Sequence, residues 1–180
     1  MILGKRVRLR AIEEADLPRF TAWLNDPEVI ENLTLQVPLS MAREMDWFEN
    51  MKRRPAEEHP MVIEANLPEG WTPLGNIGLH SIDWVNRNSE VGIFIGEKRC
   101  WNQGFGRDAM RLMLRHAFNN LNLNRIYLRV FEFNLRAIHS YENAGFKLEG
   151  RLRQDRFMNG EYCDTLIMGV LRSEWQDVEV

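Results

Sequence analysis

The sequence is short of several things, and each absence narrows the choice. Its 180 residues contain only two cysteines, Cys100 and Cys163, far apart and outside any metal-ligand spacing. A disulfide framework is therefore not expected, and neither is a metal site; the pair suits a reducing compartment. No run of about 18 apolar residues is present, which argues against a membrane span. The opening "MILGKRVRLRAIEEAD" has no uninterrupted apolar stretch, so no signal peptide is read there and a cytoplasmic protein is expected. Basic residues are not in excess: 23 Lys and Arg face 26 Asp and Glu, a formal charge of -3. Affinity for nucleic acid needs a basic surplus, so no nucleic-acid partner is expected. Repeats and low-complexity linkers are missing too, which leaves one domain over residues 1–180.

What is present reads as alternating strands and helices. "KRVRLRAI" alternates charge with Val7, Leu9 and Ala11, a half-buried strand. Leu17, Phe20, Trp23 and Leu24 fall at helical spacing, with Pro27 closing the segment. Ser40 caps a second helix whose stripe is Met41, Met45, Phe48 and Met51. "IENLTLQVPL" between them has no period and reads as a loop over a pocket mouth. "MVIEAN" and "LGNIGLHSID" read as strands joined by the turn-rich "LPEGWTP", and "VGIFIGE" as a fourth strand. Met110, Met113, Leu114, Ala117, Phe118 and Leu121 then mark a helix with one buried face. "RIYLRVF" is a strand, "NLRAIHSYENAG" a short helix ending at Gly145, and two strands close the chain around "MNGE". This order predicts a mixed α/β sheet with helices on its faces, and a parallel crossover from Val91 to Phe131.

The stretch "CWNQGFGRDAM" puts Gly104 and Gly106 ahead of a helix. Glycine there permits a positive φ and lets backbone N–H groups approach a ligand, while the first helical turn offers unpaired donors. The pair is either a sharp turn alone or an anion site of pyrophosphate size. A P-loop is excluded, because no Lys-Ser or Lys-Thr follows. A dinucleotide fingerprint lacks its downstream acidic residue.

From about Glu90 onward, "IGEKRCWNQGFGRDAMRLMLRHAF" and "NLRAIHSYENAGF" resemble the GCN5-related N-acetyltransferases, in the branch of the ribosomal-protein N-terminal and spermidine enzymes. The resemblance implies a GNAT fold, a mostly antiparallel mixed sheet splayed between strands 4 and 5. It implies acetyl-CoA as co-substrate, a primary amine as acceptor and direct attack without an acyl-enzyme, so Cys100 and Cys163 are not required. Gln103, Gly104, Phe105, Gly106 and Arg107 would hold the pyrophosphate, with Trp101 standing where the family usually has Gln or Arg. Backbone groups of Phe94 and Ile95 would pair with the pantetheine arm, one N–H acting as an oxyanion donor. Asn134 would contact the cofactor, although a plain N-cap is the simpler reading. Tyr141 would be the general acid for the leaving thiolate; its spacing alone suits a core aromatic.

A base is harder to place. The position where the ribosomal enzymes use glutamate holds Arg129, leaving Glu90 as the tentative base beside His80 and Glu132; His116 and His139 are read as surface residues. Gln36 and Val37 stand where the spermidine enzymes carry acids, and Arg151, Arg153 and Arg156 are either pocket cations or a solvated strand edge. These features favour a peptide N-terminus or a small aminated metabolite over a polyamine. Trp23, Trp47 and Phe48 either line the acceptor site or belong to the core. A homodimer is within the branch's habits, and a non-catalytic acyl-CoA-binding module is the rival reading.

Overall fold

The computed structural model describes residues 1–35 and 38–178. Eight strands form one sheet in the order β1-β2-β3-β4-β5-β6-β8-β7. The strands are β1 (Ile2–Leu3), β2 (Val7–Ala11), β3 (Met61–Leu67), β4 (Gly70–Asp83), β5 (Asn88–Ile95), β6 (Arg125–Phe131), β7 (Lys147–Met158) and β8 (Glu161–Leu171). The helices are α1 (Leu17–Trp23), α2 (Pro27–Ile30), α3 (Met41–Met51), α4 (Phe105–Arg115) and α5 (Leu135–Glu142). All neighbouring strands run antiparallel except β5 and β6, which are parallel across the α4 crossover as expected. The expected splay between strands 4 and 5 is the β5/β6 junction, because the two-residue β1 shifts the count by one.

Both faces of the sheet are covered, and β3 shows why Val62, Ile63 and Ala65 are apolar on successive sides of one strand. Val62 joins a cluster with Leu17, Phe20, Phe48 and Met51, on the side of α1 and α3. Its neighbours Ile63 and Ala65 join the larger core beneath α4, with Met110, Met113 and Leu114. Adjacent side chains on a strand point to opposite faces, so a strand buried on both sides cannot alternate with polar residues. On β2 the charges of the alternation are also used. Arg8 Nε and Arg10 Nε donate to the two oxygens of buried Glu64, at 2.6 and 2.9 Å, and Arg10 also holds Asp16 at 2.8 Å.

Four local expectations need correction. Pro27 opens α2 instead of closing α1; Asp26 caps it by accepting from the Glu28 N–H, and proline suits a first helical turn, where its missing N–H is not needed. The supposed turn "LPEGWTP" is mostly strand, since β4 begins at Gly70 and Pro73 pairs with Glu64 beside a register shift. Proline fits within a sheet at such an irregularity. The α4 run does not stay α-helical to Leu121: it widens into a π turn over His116–Asn120, which keeps Ala117 and Phe118 buried. The stripe on α3 is rotated. Met41 and Met45 are 37% and 45% exposed, while Glu44 turns inward beside Phe48 and Met51. The terminal hairpin matches its reading, with Asn159 and Gly160 at positive φ in a two-residue turn.

Candidate active site

The site begins where two strands part. β5 and β6 share only the pairs Asn88↔Arg125, Ser89↔Ile126 and Glu90↔Tyr127, after which the register stops while both strands continue. The edge of β5 that faces β6 therefore carries main-chain groups with no strand partner from Val91 onward. A cavity of about 1420 Å³ opens there, walled by Val91–Ile95 on one side and Arg129, Val130 and Phe131 on the other.

One end of this cavity is the start of α4. Asn102 and Gly104 both adopt positive φ, +61° and +83°, and Gly104 is the N-cap with no side chain to fill the first turn. Successive N–H groups in such a turn converge on a concave anion site, reinforced by the helix dipole. Gly106 is not forced by backbone strain: a Cβ there would meet only Ile95 Cγ1, at 3.6 Å, and would project into the cavity. The absence of a Cβ at Gly106 therefore leaves room for a ligand and is not demanded by the packing around it. Arg107 and Arg6 flank the turn, both balanced by buried Asp108 at 3.3 and 3.2 Å. These residues fit a diphosphate.

Two members of the expected cofactor set are placed differently. The Gln103 side chain is exposed and donates to the Arg99 carbonyl at 2.6 Å, and Gln103 does not line the cavity, so only its backbone is left for a ligand. The Ile95 carbonyl is already taken by the Trp101 indole N–H at 2.9 Å, although Phe94 and Ile95 both form cavity wall. Trp101 thus staples the turn to the end of β5, and the Arg136 guanidinium lies 4.1 Å above its ring. Asn102 and Arg136 were not singled out from the sequence; a non-glycine residue at positive φ leaves little trace there.

On α5, Asn134 caps the helix by accepting from the Ala137 N–H at 3.1 Å and also lines the cavity, so its two readings coexist. Tyr141 likewise does both things. Its ring packs on Phe146 and its phenol reaches the cavity without a hydrogen-bond partner among the described residues. Burial pushes that phenol up to about 12, so it remains a proton donor across the working pH range.

The opposite wall carries the acid–base candidates. Glu90 pairs across β4/β5 with His80, and the Arg129 guanidinium stands 3.8 Å from its carboxylate. His80 lies over Gly92, where a Cβ would come within 2.9 Å of Nε2. Burial holds the His80 imidazole below its ordinary value, against the opposing charge of Glu90, so it is neutral at pH 7. Glu132 is withdrawn from the base candidates: it binds Arg151 and the Asp164 N–H, away from the cavity. His139 is exposed at the cavity rim, as expected of a surface residue. His116 is not one: it is half-buried in the π turn and its Nδ1 lacks a partner among the described residues. Trp47 lines the cavity, while Trp23 and Phe48 belong to the core under α1 and α3. Of the three arginines on β7, Arg151 is tied to Glu132 and Asp164, Arg153 is exposed, and only Arg156 lines the cavity. Gln36 and Val37 lie outside the described residues.

The sequence reading passed over one further residue. Glu44 is 4% exposed, lines the same cavity and has no ion-pair or hydrogen-bond partner among the described residues. Burial raises its carboxyl above the ordinary range. The signal was a charge inside the apolar arc of an amphipathic helix.

The family model for the acetyltransferase (GNAT) domain matches residues 6–147. A spermidine N(1)-acetyltransferase of Vibrio cholerae serotype O1 is 32% identical over 176 residues, 96% of this chain and 97% of that protein. A putative ribosomal N-acetyltransferase, YdaF of Bacillus subtilis, is 33% identical over 114 residues, 63% and 62% of the two chains. Among solved structures, the Vibrio cholerae spermidine N-acetyltransferase in complex with CoA and spermine superposes with a TM-score of 0.84. It is 28% identical, covering 94% of this chain and 97% of that one.

Proposed function

Since the chain belongs to the GNAT family and is an acetyl-CoA-dependent N-acetyltransferase, we propose that its acceptor is a peptide N-terminal amine or a small aminated metabolite, which attacks the thioester directly. The observation that carries the proposal is the slot between β5 and β6, with an anion-binding helix start at one end and a partnerless phenol on its wall.

Acetyl-CoA supplies the activated acetyl group. The N–H groups of the Gly104–Arg107 turn bind its diphosphate, and the free edge of β5 near Phe94 aligns the arm. Tyr141 donates its proton toward the departing sulfur. With a thiol near 8.5 in solution and this buried phenol near 12, full transfer is uphill by about 5 kcal/mol if the thiolate keeps its solution value. The same burial raises the proton affinity of the thiolate, which offsets much of that gap. An alkylammonium must also lose a proton, since its ordinary value is about 10.4. Glu90 takes it, with neutral His80 beside it as a relay.

The spermidine reading is supported by the named relatives. Against it, the acceptor wall carries Arg43, Arg129 and Arg156 beside Glu44 and Glu90, a balance that does not attract a polycation. A cytoplasmic setting belongs to the proposal, supported by two free cysteines; no helix among the described residues is long and apolar enough to cross a membrane. Thiol release from acetyl-CoA, measured with alanyl and seryl peptides, amino sugars and spermidine, tests the reading. Turnover with a peptide or small amine is expected to exceed that with spermidine. Thermal stabilisation by acetyl-CoA with no release from any amine would instead identify a binding module.

A further inference from the structure

Thr165, on β8, is 2% exposed, and its hydroxyl has no hydrogen-bond partner among the described residues, yet it lies on the wall of the cavity. Valine has the same shape and a higher preference for strands, so a buried hydroxyl here is destabilising unless something in the cavity pairs with it. Its neighbours indicate what that is. Thr165 pairs with Phe131 of β6, and the next residue along the same face, Ile167, pairs with Arg129. On the other side Leu152 of β7 stands opposite Thr165, and beyond a bulge Arg156 pairs with Cys163, which shares the face of Thr165. Side chains two apart on a strand share a face, so Arg129 and Arg156 both sit diagonal to Thr165, within reach of long side chains.

Both guanidinium groups line the cavity with donors to spare. The acidic contact of Arg129 is Glu90 at 3.8 Å, too long for a hydrogen bond, and that of Arg156 is its chain neighbour Asp155 at 3.3 Å. Guanidinium groups only donate, and their fork matches a planar oxyanion. We propose that Arg129, Arg156 and Thr165 form a carboxylate subsite, and that the acceptor is an amine bearing a carboxylate close to its nitrogen. Glu90 of β5 lies 3.8 Å from Arg129 where the two strands part, so a carboxylate on the arginines brings a nitrogen a few bonds away to the base. A free amino acid and a peptide beginning with Asp or Glu share this chemistry. The inference rests on the acetyltransferase reading and narrows it.

The test compares matched acceptors: free amino acids against their amides, and peptides starting with Asp or Glu against those starting with Asn or Gln. Carboxylated acceptors are expected to give the higher kcat/KM. The first pair of acceptors responding points to an amino acid, the second to an acidic peptide, and either supports the subsite. Arg129→Gln, Arg156→Gln and Thr165→Val should each shrink the carboxylate-to-amide ratio about tenfold or more, chiefly through KM. Thr165→Ser should restore it. Thr165→Val is also expected to keep or raise the unfolding temperature, which separates lost recognition from lost folding. The favoured carboxylated acceptor alone should stabilise the parent protein thermally and the Arg156→Gln variant less. Amides acetylated as readily as carboxylates, or an unchanged ratio in Thr165→Val, overturns the subsite alone. Absence of thiol release with every amine tried overturns the acetyltransferase reading beneath it.

Discussion

Removing the Tyr141 hydroxyl leaves its ring against Phe146 in place, so Tyr141→Phe isolates the proton donor. We expect kcat to fall about a hundredfold or more with little change in cofactor affinity; equal turnover would remove the phenol from the mechanism. The diphosphate cradle has a cleaner probe than its N-cap. Substituting Gly104 strains a backbone at φ +83°, whereas the single Cβ of Gly106→Ala meets only Ile95 Cγ1 at 3.6 Å and enters ligand space. It should weaken cofactor binding at least tenfold while leaving the fold intact, read by calorimetry and circular dichroism. Glu44 gives a prediction in pH. Its carboxyl is raised by burial, so it favours the folded state below its unfolded value, and that contribution is lost as pH rises through the folded value. Glu44→Gln should therefore raise the unfolding temperature at pH 7, at roughly 2–4 °C per kcal/mol for a chain of this length, and less near pH 4.

Between residues and molecule, the elements explain which parts of the sequence could be read. β3, β6 and α4 are buried on faces that their patterns state, and the parallel crossover through α4 followed from their order. α3 misled because methionine is flexible and tolerates solvent; Met41 and Met45 face outward, and the charge between them turns in. Gln103, Asn102 and Trp101 were beyond pattern reading for a different reason. Their roles depend on which carbonyl each side chain finds in a turn, and turn geometry leaves no period. The motif did locate the helix start, the asparagine cap and the phenol on one cavity. It could not reveal Thr165, whose meaning depends on a missing partner in three dimensions. At this scale Glu64 is the test of the β2/β3 ion network. Glu64→Ala leaves Arg8 without its acidic partner and Arg10 with Asp16 alone, and should lower stability by about 3 kcal/mol in urea denaturation, whereas a change under 1 kcal/mol would make the network ornamental.

Across the whole molecule, the sheet is two sections, β1 to β5 and β6-β8-β7, stitched by three residue pairs and the packing of α4. The sequence announced a parallel crossover, and the resemblance a splay, but not the residue at which pairing ends, because the pattern of each strand runs on unchanged past the parting. An unzipped seam exposes peptide groups that a continuous sheet would protect. Amide hydrogens of residues 91–95 that face β6 should exchange with deuterium faster than those turned toward β4. Saturation with CoA should slow them selectively, and exchange that ignores CoA would mean the arm does not run along this edge. A ligand lying there would act as a temporary ninth strand, and loading the enzyme is expected to splice its two half-sheets into one cooperative unit.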